Sequence, residues 1–243
     1  MLDHPFLEEA QISNEYIDSV IPVASYTAPW HPIDTQITNW ITPHTKTVVY
    51  NFNKFGYRGT WTESDLPNTI WCFGDSQTAG MGNSENDLWP TVLGEALNCK
   101  TINFGIAGGS HDTIASILLS VTDYSRPKAI CVLTTLVDRR EIISKDGKFS
   151  CFPEVIEVSN IKHTLFEQYI LSVDDLSSTI NYDKNLILIQ SRCQALHIPL
   201  VTVTATQPPW VLSKNDPSSD DSHYGINTHK EIAEFFKNRL QNI

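Results

Sequence analysis

Basic residues are scarce in this chain of 243 residues: 17 Lys and Arg stand against 28 Asp and Glu, a net charge of −11. That balance argues against a nucleic-acid partner, which needs clustered Lys and Arg for its phosphates. It argues equally against a docking face for anionic lipid, and it favours solubility. Cysteine is thin and unpatterned. Cys72, Cys99, Cys131, Cys151 and Cys193 are an odd set with wide spacing and no CxxC, which indicates neither a disulfide framework nor a zinc site. Cys72 and Cys131 sit in apolar runs, where a free thiol acts as a small hydrophobe, so a reducing compartment is the simpler inference. No apolar run approaches the roughly 20 residues of a membrane span. The opening MLDHPFLEEAQ has neither the basic region nor the apolar stretch of a signal peptide. The expectation is a soluble, cytoplasmic protein, with non-classical export or carriage on a virion as the other routes. Repeats and low-complexity segments are absent as well. What is present, 41% hydrophobic and 10% aromatic residues, suffices for a core without metal or disulfide staples.

The chain changes character near residue 65. Residues 1–65 carry Pro22, Pro29, Pro32 and Pro43 and three tryptophans, Trp30, Trp40 and Trp61, with little helical periodicity. They read as an irregular extension packed on a domain spanning 66–243. Tryptophans there either stack on sugar rings or pin the extension to the core, and pinning is the commoner use. From residue 69 strands and helices alternate. Strands are expected at 69–74, 100–105, 129–135 and 199–205, and helices at 88–97, 114–121 and within 161–196. Pro90 is tolerable only in a first helical turn. A final helix is expected to start at a capping box, Thr228-His-Lys-Glu231. Alternation of this kind implies an α/β fold: a three-layer α/β/α sandwich around a mostly parallel, flavodoxin-like sheet. Sites in such folds lie at the carboxyl ends of the strands.

Three segments carry candidate chemistry. Gly74-Asp75-Ser76 falls at the end of the first sheet strand, where a nucleophile belongs, although such a tripeptide arises by chance in about 5% of chains this long. In Asp220-Asp221-Ser222-His223, an Asp three residues before a His can hold the ring's tautomer and stabilise its cation. The bland alternative is a solvated acidic loop with a surface histidine. Gly105-Ile-Ala-Gly-Gly109 lets backbone N–H groups reach an oxyanion. An ordinary turn or a phosphate cradle would look alike, though a Walker lysine and the dinucleotide glycine spacing are both missing. His111 is expected either to contact substrate or to bond locally at a helix start. His229 is expected to be structural, and Arg140 and Glu141 to form a solvated edge.

Together these segments resemble the SGNH (GDSL-type) serine hydrolase family over residues 51–243. Members carry a Gly-Asp-Ser block after the first strand, a glycine block after the second and an Asp-x-x-His block before the last helix. The counterparts here are Gly74-Asp75-Ser76, Asn103-Phe-Gly-Ile-Ala-Gly108 and Asp220-Asp-Ser-His223. Asn53-Lys-Phe-Gly-Tyr-Arg-Gly59 and Leu88-Trp89-Pro90 also look like bacterial members. The resemblance implies an acyl-enzyme on Ser76, with His223 as base oriented by Asp220 and the N–H groups of Ser76 and Gly108 on the oxyanion. It implies an esterase or deacylase acting on a small-molecule or carbohydrate ester, without metal or cofactor. The family's Gly-x-Asn-Asp block is replaced by Thr134-Thr-Leu-Val-Asp-Arg-Arg-Glu141. Asp138 or Val137 falls nearest the Asn position, and an ionised Asp cannot donate, so Arg139 or Thr135 is expected to supply the missing donor. A noncatalytic glycan-binding or structural subunit, and a binder of nucleotides, are the rival readings.

Overall fold

The structure is a computed structural model that describes residues 31–40, 44–144, 147–151, 175–204 and 216–242. Pro22, Pro29, Trp30, Pro43, residues 161–174 of the expected long helix and Ala205 lie outside these. The sheet begins with β3, Ile70–Gly74, flanked by β4, Thr101–Gly105, and β5, Ala129–Leu133, with β8, Leu200–Val203, beyond β5. The order is β4-β3-β5-β8, and every pairing is parallel. Both central strands are buried at every position, which is why they read as unbroken apolar runs and not as alternating ones. Because the second strand lies on one side of the first and the third on the other, the sheet reverses direction at β3. Ligand crevices open at that reversal.

Helices cover both faces. Trp71, Phe73, Phe104 and Val132 face α3, His111–Tyr124, and α4, Asp175–Ala195. Cys72, Cys131, Leu133 and Val203 face α2, Trp89–Leu97, and α5, Ile226–Leu240. The architecture is therefore a three-layer α/β/α sandwich. A short helix, α1, Ser76–Ala79, follows β3 directly. Before the sheet, β1, Thr35–Thr38, pairs antiparallel with β2, Val49–Phe52. Trp61 stacks on Phe55 and Tyr57 and meets Phe104 edge-on, well inside the core.

Helix ends differ from the expectation in three places. Helix α5 begins at Ile226, so Thr228 is its third residue and not a cap. The cap comes from Asp216, whose Oδ2 accepts the Thr228 N–H at 2.7 Å and its hydroxyl at 3.0 Å. A carboxylate brought in from outside the helix does the work of a local Ser or Thr. Helix α3 starts three residues before the expected 114, because Ser110 and Thr113 form a reciprocal cap with Thr in the place of the usual Glu. At α2 the capping position holds Leu88, and the ring of His229 on α5 accepts the Trp89 N–H instead, at 3.1 Å. The Pro90 expected in that first turn is there.

A pair of strands that alternation of strand and helix did not suggest follows β5: β6, Arg140–Ser144, pairs antiparallel with β7, Gly147–Cys151. Arg140 is buried and donates to the Ser177 carbonyl, and Asp112 accepts the Glu141 N–H. The solvated edge expected at Arg140 and Glu141 is thus an anchored one. Phe236 of α5 is fully buried and stacks on Trp89 of α2 at 4.8 Å. Phe236→Ala empties the centre of that layer and is expected to cost about 3–5 kcal/mol, measured by urea unfolding with an unchanged slope.

Candidate active site

Ser76 opens α1 at the reversal point of the sheet. Helix α1 presses against the ends of both β3 and β4. A Cβ on Gly74 would lie 2.0 Å from the Thr78 hydroxyl, and one on Gly105 would lie 2.2 Å from the Ala79 nitrogen. Only glycine fits either place. Asp75 caps α1, its Oδ1 accepting the Gln77 N–H at 2.9 Å. Its Oδ2 accepts from the Thr135 hydroxyl at 2.8 Å and from the Arg139 guanidinium. Arg139 Nη1 also donates to Thr135 Oγ1 at 2.6 Å. The two residues expected as substitute oxyanion donors therefore brace the nucleophile's cap. Asp138 sits half-buried on the same turn, with no hydrogen bond among the described residues.

The other end of α1 is held by Arg58, which sequence reading passed over. Its buried guanidinium donates to the carbonyls of Ala79, Gly80 and Asn83 and lies 4.3 Å from the centre of the Tyr50 ring. Burial pulls its pKa down to about 10, so it stays charged at neutral pH.

His223 and Asp220 share one tight turn, in which Asp221 takes the left-handed conformation with φ of 59°. Asp220 Oδ2 accepts from His223 Nδ1 at 2.8 Å, while Oδ1 accepts from the Ser218 hydroxyl and the Ser222 N–H. Burial pushes the Asp220 pKa up most strongly, but those donors and the His223 ring together outweigh it and hold the pKa down at about 2. Asp220 is thus ionised across the working range. Asp221, the adjacent alternative, is exposed. The turn is stitched to the nucleophile region: the Tyr224 N–H donates to Gln77 Oε1 at 2.9 Å and Ser219 N–H to the Gly82 carbonyl at 3.0 Å. Gly82 permits the approach, since a Cβ there would lie 2.3 Å from Ser218 Oγ. The residues following Ser76 and His223 are therefore in direct contact. Among the described residues no hydrogen bond joins Ser76 to His223 itself. Serine–base contacts of this kind commonly tighten only once substrate is bound.

The glycine loop after β4 shows which N–H is available. The Gly105 N–H donates to Asn103 Oδ1, that of Ile106 to the Gly74 carbonyl, that of Ala107 to His31 and that of Gly109 to the Ile106 carbonyl. Gly108, with φ of 75°, is half-exposed between buried neighbours, and its N–H meets no acceptor among the described residues. One open donor suits an oxyanion. A phosphate cradle needs several, so this loop does not support the nucleotide reading.

His111 follows on α3, 1% exposed, with its ring 4.4 Å from Tyr182 in an edge contact. Neither ring nitrogen has a hydrogen-bond partner among the described residues, so the expected local bond is not made. His229 is structural, as its cap on α2 shows. His31, which the sequence did not single out, joins Gly56 to the glycine loop. No sequence signal marks it.

No protein-family model matches this chain, and no curated protein does. Solved structures do. One is AlinE4, described as an SGNH-hydrolase family esterase, at 19% identity and a TM-score of 0.36, covering 59% of this chain and 60% of that one. A carbohydrate acetylesterase family member from Sinorhizobium meliloti matches at 13% identity and 0.36, over 72% and 97% of the two chains. An acetyl xylan esterase, Est2A, from the rumen bacterium Butyrivibrio proteoclasticus matches at 12% identity and 0.42, over 77% and 66%. The chain thus spans about 60% of the length of the AlinE4 structure.

Three buried histidines link this region to pH. Burial lowers the pKa of His31 and His111 from 6.5 to about 4 and that of His229 to about 3. The unfolded chain therefore binds more protons than the folded one below pH 6.5. Stability is full above that pH and falls as pH drops towards 4, by up to about 1.4 kcal/mol per unit for each ring. Urea midpoints are expected to fall from pH 7.5 to pH 5, and His229→Gln to flatten the slope.

Proposed function

We propose that this chain is a serine hydrolase of the SGNH type that cleaves carboxylic esters through an acyl-enzyme on Ser76. The observation that carries the reading is the docking of the Asp220–His223 pair onto the nucleophile helix through Gln77 and Gly82, at the sheet's reversal point. In this reading His223 takes the Ser76 proton, and Ser76 Oγ attacks the ester carbonyl. The tetrahedral oxyanion lies against the N–H groups of Ser76 and Gly108. Collapse expels the alcohol, which takes the proton back from His223, and water activated by the same ring releases the acid. Asp220 holds the ring in its Nδ1–H tautomer throughout. Thr135 and Arg139 act through Asp75, keeping α1 in place.

For the substrate we favour a short acyl group, such as acetyl, on a carbohydrate. A groove of about 460 Å³ adjoins the Asp220 turn, lined by Thr45, Ser84, Asp87, Ser219, Asp221 and Asn227 among others but by none of Ser76, Gly108 and His223, so it suits the sugar beyond the acyl group and not the acyl group itself. Hydroxyl, amide and carboxylate groups of this kind match sugar hydroxyls. One observation favours a second reading, a noncatalytic glycan binder: the turn after β5 brings no side-chain donor to the oxyanion, its arginine being turned onto Asp75.

The purified protein is expected to hydrolyse p-nitrophenyl acetate faster than the butyrate. Ser76→Ala and His223→Ala are each expected to lose about 10³-fold or more in kcat, and Asp220→Asn about 10²- to 10⁴-fold. A fluorophosphonate probe should label the parent and not Ser76→Ala. Absence of both labelling and turnover would select the noncatalytic reading.

A further inference from the structure

The segment ahead of the sheet touches three loops of the proposed site. His31 is 8% exposed and bridges two backbones: its Nδ1–H donates to the Gly56 carbonyl at 2.8 Å, and its Nε2 accepts the Ala107 N–H at 2.9 Å. The two bonds together require the neutral ring, since a protonated Nε2 has no lone pair for Ala107. Trp40 and Phe52 meet the ring edge-on at 5.0 and 5.7 Å and restrict its rotation. Farther along, Tyr50 Oη accepts the Gly82 N–H at 2.8 Å. Thr45 N–H donates to the Ser219 carbonyl at 2.6 Å, and His44 Nδ1 lies 2.8 Å from Ser219 Oγ. His31, Tyr50 and the pair His44 and Thr45 thus hold, in turn, the glycine loop, the turn after the Ser76 helix and the Asp220 turn.

From this geometry we propose that His31 is a positioning residue for the oxyanion donor, fixing Ala107 so that the adjoining Gly108 N–H stays aimed at the space beside Ser76. The proposal rests on the ester-hydrolysis reading of Ser76. Its physical basis is that a donor stabilises a developing oxyanion only when it is already in place, and that displacements of about 1 Å reduce rates severely. Gly108 needs such an anchor. With φ of 75° and no acceptor for its N–H among the described residues, it takes its position from its neighbours. Ala107 is the one of them gripped from outside the loop, by a residue 76 positions away.

Two measurements test this. In the parent, the Ala107 amide is expected to exchange with solvent deuterium slowly and the Gly108 amide fast. Equal, fast exchange at both would overturn the proposal without any appeal to activity or to a variant's folding. His31→Leu removes both bonds at similar volume, whereas His31→Gln keeps an acceptor. On p-nitrophenyl acetate, His31→Leu is expected to lose about 10- to 100-fold in kcat with KM held within about twofold, and His31→Gln to recover most of the loss. The Ala107 amide should exchange faster in His31→Leu while those of Ile130 and Val132 do not. A folded His31→Leu with parental kcat overturns the proposal, as does an equal loss in His31→Gln. Failure of the hydrolase reading looks different: the parent itself then shows no Ser76-dependent turnover, and the catalytic role assigned to His31 falls with it.

Discussion

A helix of four residues makes too few hydrogen bonds to persist alone, so the placement of Ser76 depends on what grips the two ends of Ser76–Ala79. At the N-terminal end the Asp75 carboxylate caps the helix and is itself clamped by Thr135 and Arg139. At the C-terminal end the Arg58 guanidinium gathers the carbonyls of Ala79 and Gly80. Each charge has the sign that suits its end of the helix dipole. Burying a guanidinium is costly unless its donors are satisfied; here carbonyl oxygens meet the two Nη atoms and the Tyr50 ring face covers the group, while Nε has no partner among the described residues. Ser76 is thereby held by one residue before the sheet and by two after its third strand.

The rest of the site is built on the same plan. The Asp220 turn, the glycine loop and the segment from β3 to Gly82 are joined by backbone groups, Ser219 N–H to Gly82 and Ile106 N–H to Gly74, with the Gln77 side chain adding a bond from Tyr224 N–H. Such bonds need close backbone approach, which glycine provides at Gly74, Gly82 and Gly105. They also make the geometry insensitive to side-chain rotamers, a benefit where orientation governs rate. Neutral histidines serve as buried acceptors at two of these joints, His31 at the glycine loop and His229 at the start of α2. That use ties the fold's stability to their staying unprotonated.

How far the sequence reveals this varies with the range of the interaction. The four sheet strands fall within two residues of the spans read from apolar runs, because β3 and β5 are buried on both faces and leave no alternation to confuse. Local signals misled where tertiary contacts took over a local task. Thr228 with Glu231 has the form of a capping box, yet Asp216 supplies the cap, and Ile226 starts the helix. The pairing of Arg140–Ser144 with Gly147–Cys151 has a sequence signal, Asp146-Gly147, which an expectation of strictly alternating strands and helices overlooks, and Arg140 and Glu141 are anchored by Ser177 and Asp112 from distant helices.

By itself, then, the sequence determined the order of strands and helices, the sheet edge at which Ser76 falls and the Asp220–His223 pairing within one turn. These are matters of hydrophobic periodicity and of neighbours three residues apart. Only the tertiary structure decided that Arg139 faces Asp75, that the Gly108 N–H is left open in its loop among the described residues, and that Arg58 and His31 hold the site from outside it. Those contacts join residues 21 to 76 positions apart. A hydrogen bond at such separation leaves no period or spacing in the chain, because nothing but the packing of the three layers brings its partners together.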